Sequence, residues 1–313
     1  MRLLMVFIDG FGLGSGNAGI NPFLTAETPF LHSLLGNKSF TLQNVNEQLT
    51  QGHVSVLPVD AAMGVPGIPQ SATGQTSFLA GINASALAGR HIQGFPTEEL
   101  RERLVETSIF KVLTESGLRA VFANTFTDEY FVALKAGKVR HSATTVAALA
   151  GGSRLQGVSD LKNGEAVYHD LSNELLIERG YELPLISPEQ AGENLLRVSG
   201  RNDFTLFEYF QTDRCGHGQD WIAALEILNR LDRFLGTLAR FKPDDLQLLI
   251  VSDHGNIEDL SLKAHTMNPV PLITLGTAGE SFRRVGSLPD IYYALTEFYG
   301  ITQNTTQPVS NKK

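Results

Sequence analysis

Short uninterrupted apolar runs recur along the chain at Leu3 to Ile8, Ala120 to Ala123, Phe204 to Phe210, Leu246 to Val251 and Val270 to Leu275. Runs of this length without polar alternation predict strands buried on both faces. Between them lie patterns of helical period. Thr28 to Leu35 opens on a Thr-Pro start, Ile109 to Glu115 is amphipathic, and Pro188 to Val198 follows Ser187. Trp221 to Phe241 carries charge on one face only, and Pro289 to Tyr299 lies between Ser287 and Gly300. These are helix start and stop signals. Strands alternating with helices predict an α/β chain, a three-layer α/β/α sandwich with a mostly parallel central sheet whose ligands gather at the carboxyl ends of the strands. Residues 136–185, rich in Gly, Ser, Asn and His, read as a small cap inserted into that core, and 302–313 as a polar tail.

Composition narrows the function. At 313 residues and 34.1 kDa the chain is two domains or one large α/β domain. Hydrophobic content of 42%, charged content of 19% and a mean hydropathy of -0.04 describe a folding chain with a core. A net charge of -8 argues against a general nucleic-acid partner, yet leaves room for a small phosphorylated substrate if metal ions supply positive charge locally. Cys215 is the single cysteine, so an intrachain disulfide and a Cys-rich zinc site are excluded, which suits a reducing cytoplasm. The first apolar run breaks at Asp9, unlike a secretory segment, and no stretch approaches the roughly 18 apolar residues of a membrane span.

The candidate chemistry sits at the ends of the apolar runs. Gly14-Ser15-Gly16-Asn17-Ala18-Gly19 has the spelling of a dinucleotide loop, but no helix opens before Pro22 and no acidic residue ends a second strand at the required distance. Asp9 follows the first strand directly, and Asp253-His254 follow the Leu246 strand. Asp213 and His217 come after the Phe204 strand at a spacing that places both on one helix face. His265, in Lys263-Ala264-His265-Thr266, precedes the Val270 strand. Alone, each would be a turn, cap or solvated loop residue. Together, three of the eight histidines and three aspartates form the N/O donor set of a binuclear site for Zn, Mn or Fe. Residues 65–77 lead small side chains into a helix start. A Ser or Thr there is an N-cap or a nucleophile activated by metal.

Asp9-Gly10, Ser71-Ala72-Thr73-Gly74-Gln75, Asp213-x-x-x-His217, Asp253-His254-Gly255-Asn256 and Ala264-His265-Thr266-Met267-Asn268-Pro269-Val270-Pro271 resemble, in order, the motifs of the alkaline phosphatase superfamily. The resemblance is closest to the metalloenzyme branch that includes cofactor-independent phosphoglycerate mutase and phosphopentomutase. It implies an alkaline-phosphatase-like fold and two divalent metal ions, Mn or Zn. One would be held by Asp213, His217 and His265, the other by Asp9, Asp253 and His254 with Ser71. It also implies that Ser71 is the nucleophile and becomes transiently phosphorylated, with Thr73 as the neighbouring competitor. Two divalent cations would offset three aspartates and a Ser71 alkoxide.

Only 141 residues separate Ser71 from Asp213, too few for the large inserted domain of the phosphoglycerate mutases. A small cap favours water as acceptor, hence hydrolysis of a small phosphomonoester, with a phosphomutase as the enzymatic alternative and a non-catalytic metal or phosphoester binder as the alternative of another class. Candidate substrate contacts are Arg90, His91 and Lys263, with Arg214 and Arg140-His141 behind them. Gln75 stands where the mutases of this branch commonly have His, and Cys215 reads as a packed small residue. Because the expected ligands span residues 9–265, 1–313 reads as one catalytic domain; its oligomeric state is open.

Overall fold

The computed structural model describes residues 1–302. Seven strands, β1 (Arg2–Ile8), β2 (Leu49–Gln51), β3 (Val54–Val59), β4 (Ala120–Phe122), β5 (Phe204–Tyr209), β6 (Leu246–Val251) and β7 (Val270–Leu275), form one sheet in the order β2-β3-β7-β6-β1-β5-β4. The pairs β6-β1, β1-β5 and β5-β4 are parallel, whereas β6-β7, β7-β3 and β3-β2 are antiparallel. Five strands therefore share one direction, and β7 and β2 run against it. β7 reverses because only a short connection, residues 252–269, follows β6, with no crossover helix of the kind a parallel strand needs.

Side-chain alternation along β1 creates the layers. Leu4, Val6 and Ile8 enter one core with Phe207, Ile250 and the helices Pro188–Ser199 and Trp221–Phe241. Leu3, Met5 and Phe7 enter the other with Leu206, Val251 and the helices Ser71–Ala80, Ile109–Glu115 and Leu288–Phe298. Every residue of β5, β6 and β7 is buried, the polar Thr205, Glu208, Gln247 and Thr274 included, as strands covered on both faces require.

β2 and β3 have no counterpart in the hydrophobic pattern. β2 is three residues long, and Pro58 interrupts β3. Pro58 is tolerated because β2 pairs only with Val54–Val56, leaving the position beyond them without a ladder partner on that side. Residues 136–185, expected as a cap, divide into two parts. The helix Ala143–Ala150 packs into the second core with Ala143, Val146, Ala147 and Ala148 buried, while the remainder crosses the carboxyl edge, touching it through the bridges Asn124↔Val167 and Thr125↔Gln156. The polar tail, apart from Thr302, lies outside the described residues. No described helix is long and apolar enough to cross a membrane.

Candidate metal centre

One sheet edge collects all the expected ligands. Asp9 follows β1, Asp213 lies on the first turn of the helix Gln211–Gly218 after β5, and Asp253-His254 follow β6. His265 precedes β7, and because β7 is antiparallel to β6 the start of one and the end of the other share an edge. Backbones approach closely here. Gly10 has φ +73° and a Cβ there would stand 2.9 Å from Asp213 Cα; a Cβ on Gly74 would stand 2.8 Å from the Asp253 carbonyl oxygen. These two glycines let the β1 turn and the Ser71 helix close on the carboxylates.

Asp213, His217 and His265 offer ligand atoms within 4.8 Å of one another, and so do Asp9, Asp213 and His254. His265 Nε2 lies 3.3 Å from Asp213 Oδ1 and 3.2 Å from His217 Nε2. His254 Nε2 lies 3.2 Å from Asp9 Oδ1, 3.5 Å from Asp253 Oδ2 and 3.0 Å from Ser71 Oγ. The His254 and His265 rings stack at 3.6 Å. Asp253 thus adjoins the second group, while Asp213 stands between both.

Tautomers follow from the outer contacts. His217 Nδ1 faces the Lys263 carbonyl at 2.7 Å and His265 Nδ1 faces the Pro69 carbonyl at 2.9 Å. Carbonyls only accept, so each Nδ1 carries a proton and each ring turns its Nε2 inward. Two Nε2 atoms 3.2 Å apart, beside the Asp213 carboxylate, form a donor cluster that a cation can take up. Asn256 Oδ1 is also buried without a hydrogen-bond donor among the described residues. This donor set fits divalent cations of the borderline type.

In the cation-free site, protons carry the compensating charge. Burial and the Asp253 charge push the Asp9 carboxyl up to about 7, and burial pushes Asp253 up to about 6. Burial opposes the His254 imidazolium, but the carboxylates of Asp253 and Asp9 outweigh it and raise the ring to about 10. For Asp213, burial is overcome by the His265 hydrogen bond and the His254 charge, which hold it at about 2.

A residue absent from the sequence reasoning holds the loops in place. Glu258, fully buried, accepts from Gly12 N (3.1 Å), Asn256 N (2.7 Å), Thr266 Oγ1 (2.5 Å) and Asn268 Nδ2 (3.0 Å). It joins the segments after β1, after β6 and before β7. Its position two residues past Asn256 was the only available signal, and nothing in the spacing separated it from a surface acid. Gln75 Nε2 donates to Asp253 Oδ2 at 3.1 Å, and Asn256 Nδ2 to Asp213 Oδ1 at 2.6 Å.

Ser71 is the first residue of its helix and lines a cavity of about 580 Å³ with Asp9, Gln75 and Asp213. Thr73 is fully buried and committed, donating to the Gln70 carbonyl and accepting from Ile92 N. The cationic candidates fare unevenly. Arg90 and Lys263 are exposed and outside the cavity, and His91 is fixed by Ser85 Oγ and the Val65 carbonyl. Arg214 does line it, joined by Arg179, which sequence reasoning missed; neither makes an ion pair among the described residues. His141 Nδ1 and Tyr130 Oη share a hydrogen bond of 2.7 Å. Glu208, the penultimate residue of β5, also faces the cavity; burial pushes its carboxyl up to about 8, against a bond donated by Thr144 Oγ1. The Cys215 thiol is buried, raised to about 11, and directed at the Asp220 carbonyl, away from the ligands.

Comparison with known proteins follows the same lines. The family described as the Metalloenzyme superfamily matches residues 1–303. A 2,3-bisphosphoglycerate-independent phosphoglycerate mutase from Halobacterium salinarum is 35% identical over 112 residues, 33% of this chain and 22% of that protein. The matched segment thus spans about a fifth of the relative's length. Among solved structures, a protein from Pyrococcus horikoshii superposes with a TM-score of 0.58 at 13% identity, covering 98% of both chains. The alkaline phosphatase from the Antarctic bacterium TAB5 gives 0.53 at 13% identity, covering 96% of this chain and 99% of its own. Both likenesses concern the fold, which is alkaline-phosphatase-like.

Two outcomes are expected. Metal loading at pH 7 will displace the His254 proton and part of the Asp9 proton, so between about one and two protons are released, and affinity weakens as pH falls below about 10 and more steeply below about 7. Calorimetry in buffers of different ionisation enthalpy measures this. Glu258→Ala strands four buried donors, and will lower unfolding stability by about 3–5 kcal/mol in a denaturant titration and metal affinity by roughly 10–100-fold.

Proposed function

The chain belongs to the Metalloenzyme superfamily, and from that footing we propose that it hydrolyses a small phosphomonoester through a phosphoserine at Ser71. The observation carrying this reading is the placement of Ser71 Oγ at a helix N-terminus, 3.0 Å from His254 Nε2 and open to the cavity that Arg179 and Arg214 line. Asp213, His217 and His265 would hold one divalent cation, and Asp9, Asp253 and His254 with Ser71 the other. When bound, two such ions, Mn or Zn, supply the positive charge that favours the Ser71 alkoxide and offsets charge building on the phosphoryl oxygens and the leaving alcohol.

The remaining work falls to the chain. Ser71 Oγ forms a bond to phosphorus as the ester P–O bond breaks, and the alcohol departs with a proton. Water then cleaves the Ser–O–P bond and releases inorganic phosphate. The first N–H groups of the Ser71 helix have no intrahelical acceptor and favour negative charge at its start. Arg214, adjacent to Asp213, and Arg179 are placed to take phosphoryl oxygens. Nδ1 anchoring of His217 and His265 keeps both rings aimed inward through the cycle. Water as the acceptor is supported by the 37% exposure of the His217 side chain and by the short segment between Ser71 and Asp213. A phosphomutase is the second reading, favoured by the phosphoglycerate mutase relative.

Ser71→Ala in metal-loaded protein will lower phosphate release from a generic aryl phosphate by at least about 10³-fold with metal content unchanged within a factor of a few. Equal rates for the two proteins would refute the role of Ser71. On sugar phosphates and phosphoglycerates, release of free phosphate marks hydrolysis; an isomerised ester with no phosphate released would make the mutase correct.

A further inference from the structure

The far wall of the cavity beside Ser71 is aromatic. Phe95, Phe126, Tyr130, Tyr168, His169 and Phe210 line it. Phe126 and Tyr130 have ring centroids 4.6 Å apart, and His169 lies 4.1 Å from both Tyr168 and Phe210. Phe95 is 41% exposed at the rim, with the Arg140 guanidinium 4.8 Å over its ring. Most polar groups of this wall are already used. Asn124 is paired through its amide to both backbone groups of Glu208, Tyr130 Oη to His141, and Ser142 Oγ to Thr144 and Thr145.

A glycerate or a free sugar offers no flat face to stack on these rings. A planar ring suits the wall, because aromatic side chains stack on any flat π-system. The volume of about 580 Å³ lies within the roughly 300–1,000 Å³ typical of ring-bearing small ligands.

We propose that the alcohol part of the substrate carries a planar aromatic ring, making the substrate a phosphomonoester of the nucleoside monophosphate kind, its ring among Phe95, Phe126, Tyr130 and Phe210. This rests on the phosphomonoesterase reading above. The phosphate stays at Ser71 while the aromatic wall selects the alcohol.

Substrates sharing one ester isolate the ring. Adenosine and uridine 5′-monophosphates are compared with ribose 5-phosphate, and 2-phenylethyl phosphate with ethyl phosphate, in metal-loaded protein. Expected is a kcat/KM at least ~10-fold higher for the ring-bearing member of each pair, a single stacking contact being equivalent to about tenfold. Phe95→Ala and Phe126→Leu will shrink that ratio, mainly through KM. Equal use of ring-bearing and ringless esters overturns the ring site and leaves the hydrolase reading intact. Binding provides a readout independent of turnover: titration of Ser71→Ala with adenosine and uridine, lacking phosphate, against ribose. Saturable binding of a nucleoside but not ribose, weakened in the Phe95→Ala background, supports the site even if no ester is hydrolysed. No binding of either nucleoside overturns it.

Discussion

The molecule is organised around a crowd of acceptor lone pairs with too few donors. Three carboxylates and three imidazoles meet at one sheet edge, and the outer hydrogen bonds of His217 and His265 turn their Nε2 atoms toward one another. Such an arrangement is unfavourable when the charges are bare, and protons meet the deficit in the cation-free chain: Asp9 and Asp253 are raised and the His254 ring is held as an imidazolium. The energy stored in that crowding is what a pair of divalent cations would relieve. A site of this kind binds cations because the fold pays in advance for bringing the donors together.

The fold brings them together through direction and anchorage. Parallel strands β6, β1 and β5 send their ends to one edge, and the reversal of β7 brings His265 back to it. Glu258 then ties three connecting segments, after β1, after β6 and before β7, to one carboxylate. Close packing at Gly10 and Gly74 removes the slack that a side chain would introduce. Positions held from several directions keep the ligand atoms within a few ångströms without any ion to collect them.

The cavity divides its labour between two walls. One presents Ser71, Asp9 and Asp213, where charge is managed; the other, built from residues 122–130, 142–145, 168–179 and Phe210, is largely aromatic. Glu208 lies at their junction, raised by burial and so a neutral carboxyl at pH 7, which lets it stand near Asp9 without adding a further negative charge. On the proposed reading, phosphoryl chemistry and the choice of alcohol would fall to different residues, so that one could vary while the other stays fixed.

Much of this was legible in the sequence. The strands β1, β5, β6 and β7 announce themselves as apolar runs, and Asp9, Asp213, His217, Asp253, His254 and His265 stand at their ends, because local hydrophobicity and strand-end placement are properties of adjacent residues. β2 and β3 were hidden, since their pairing is long-range and Pro58 masks the pattern. The distinction between Ser71 and Thr73 needed the tertiary structure, which aims one at His254 and commits the other to backbone. So did the selection of Arg179 and Arg214 over Arg90 and Lys263, and the recognition of Glu258 and Glu208. Charge type is written in the sequence, but which charges share a cavity depends on how distant segments cross the sheet edge, and no spacing rule encodes that.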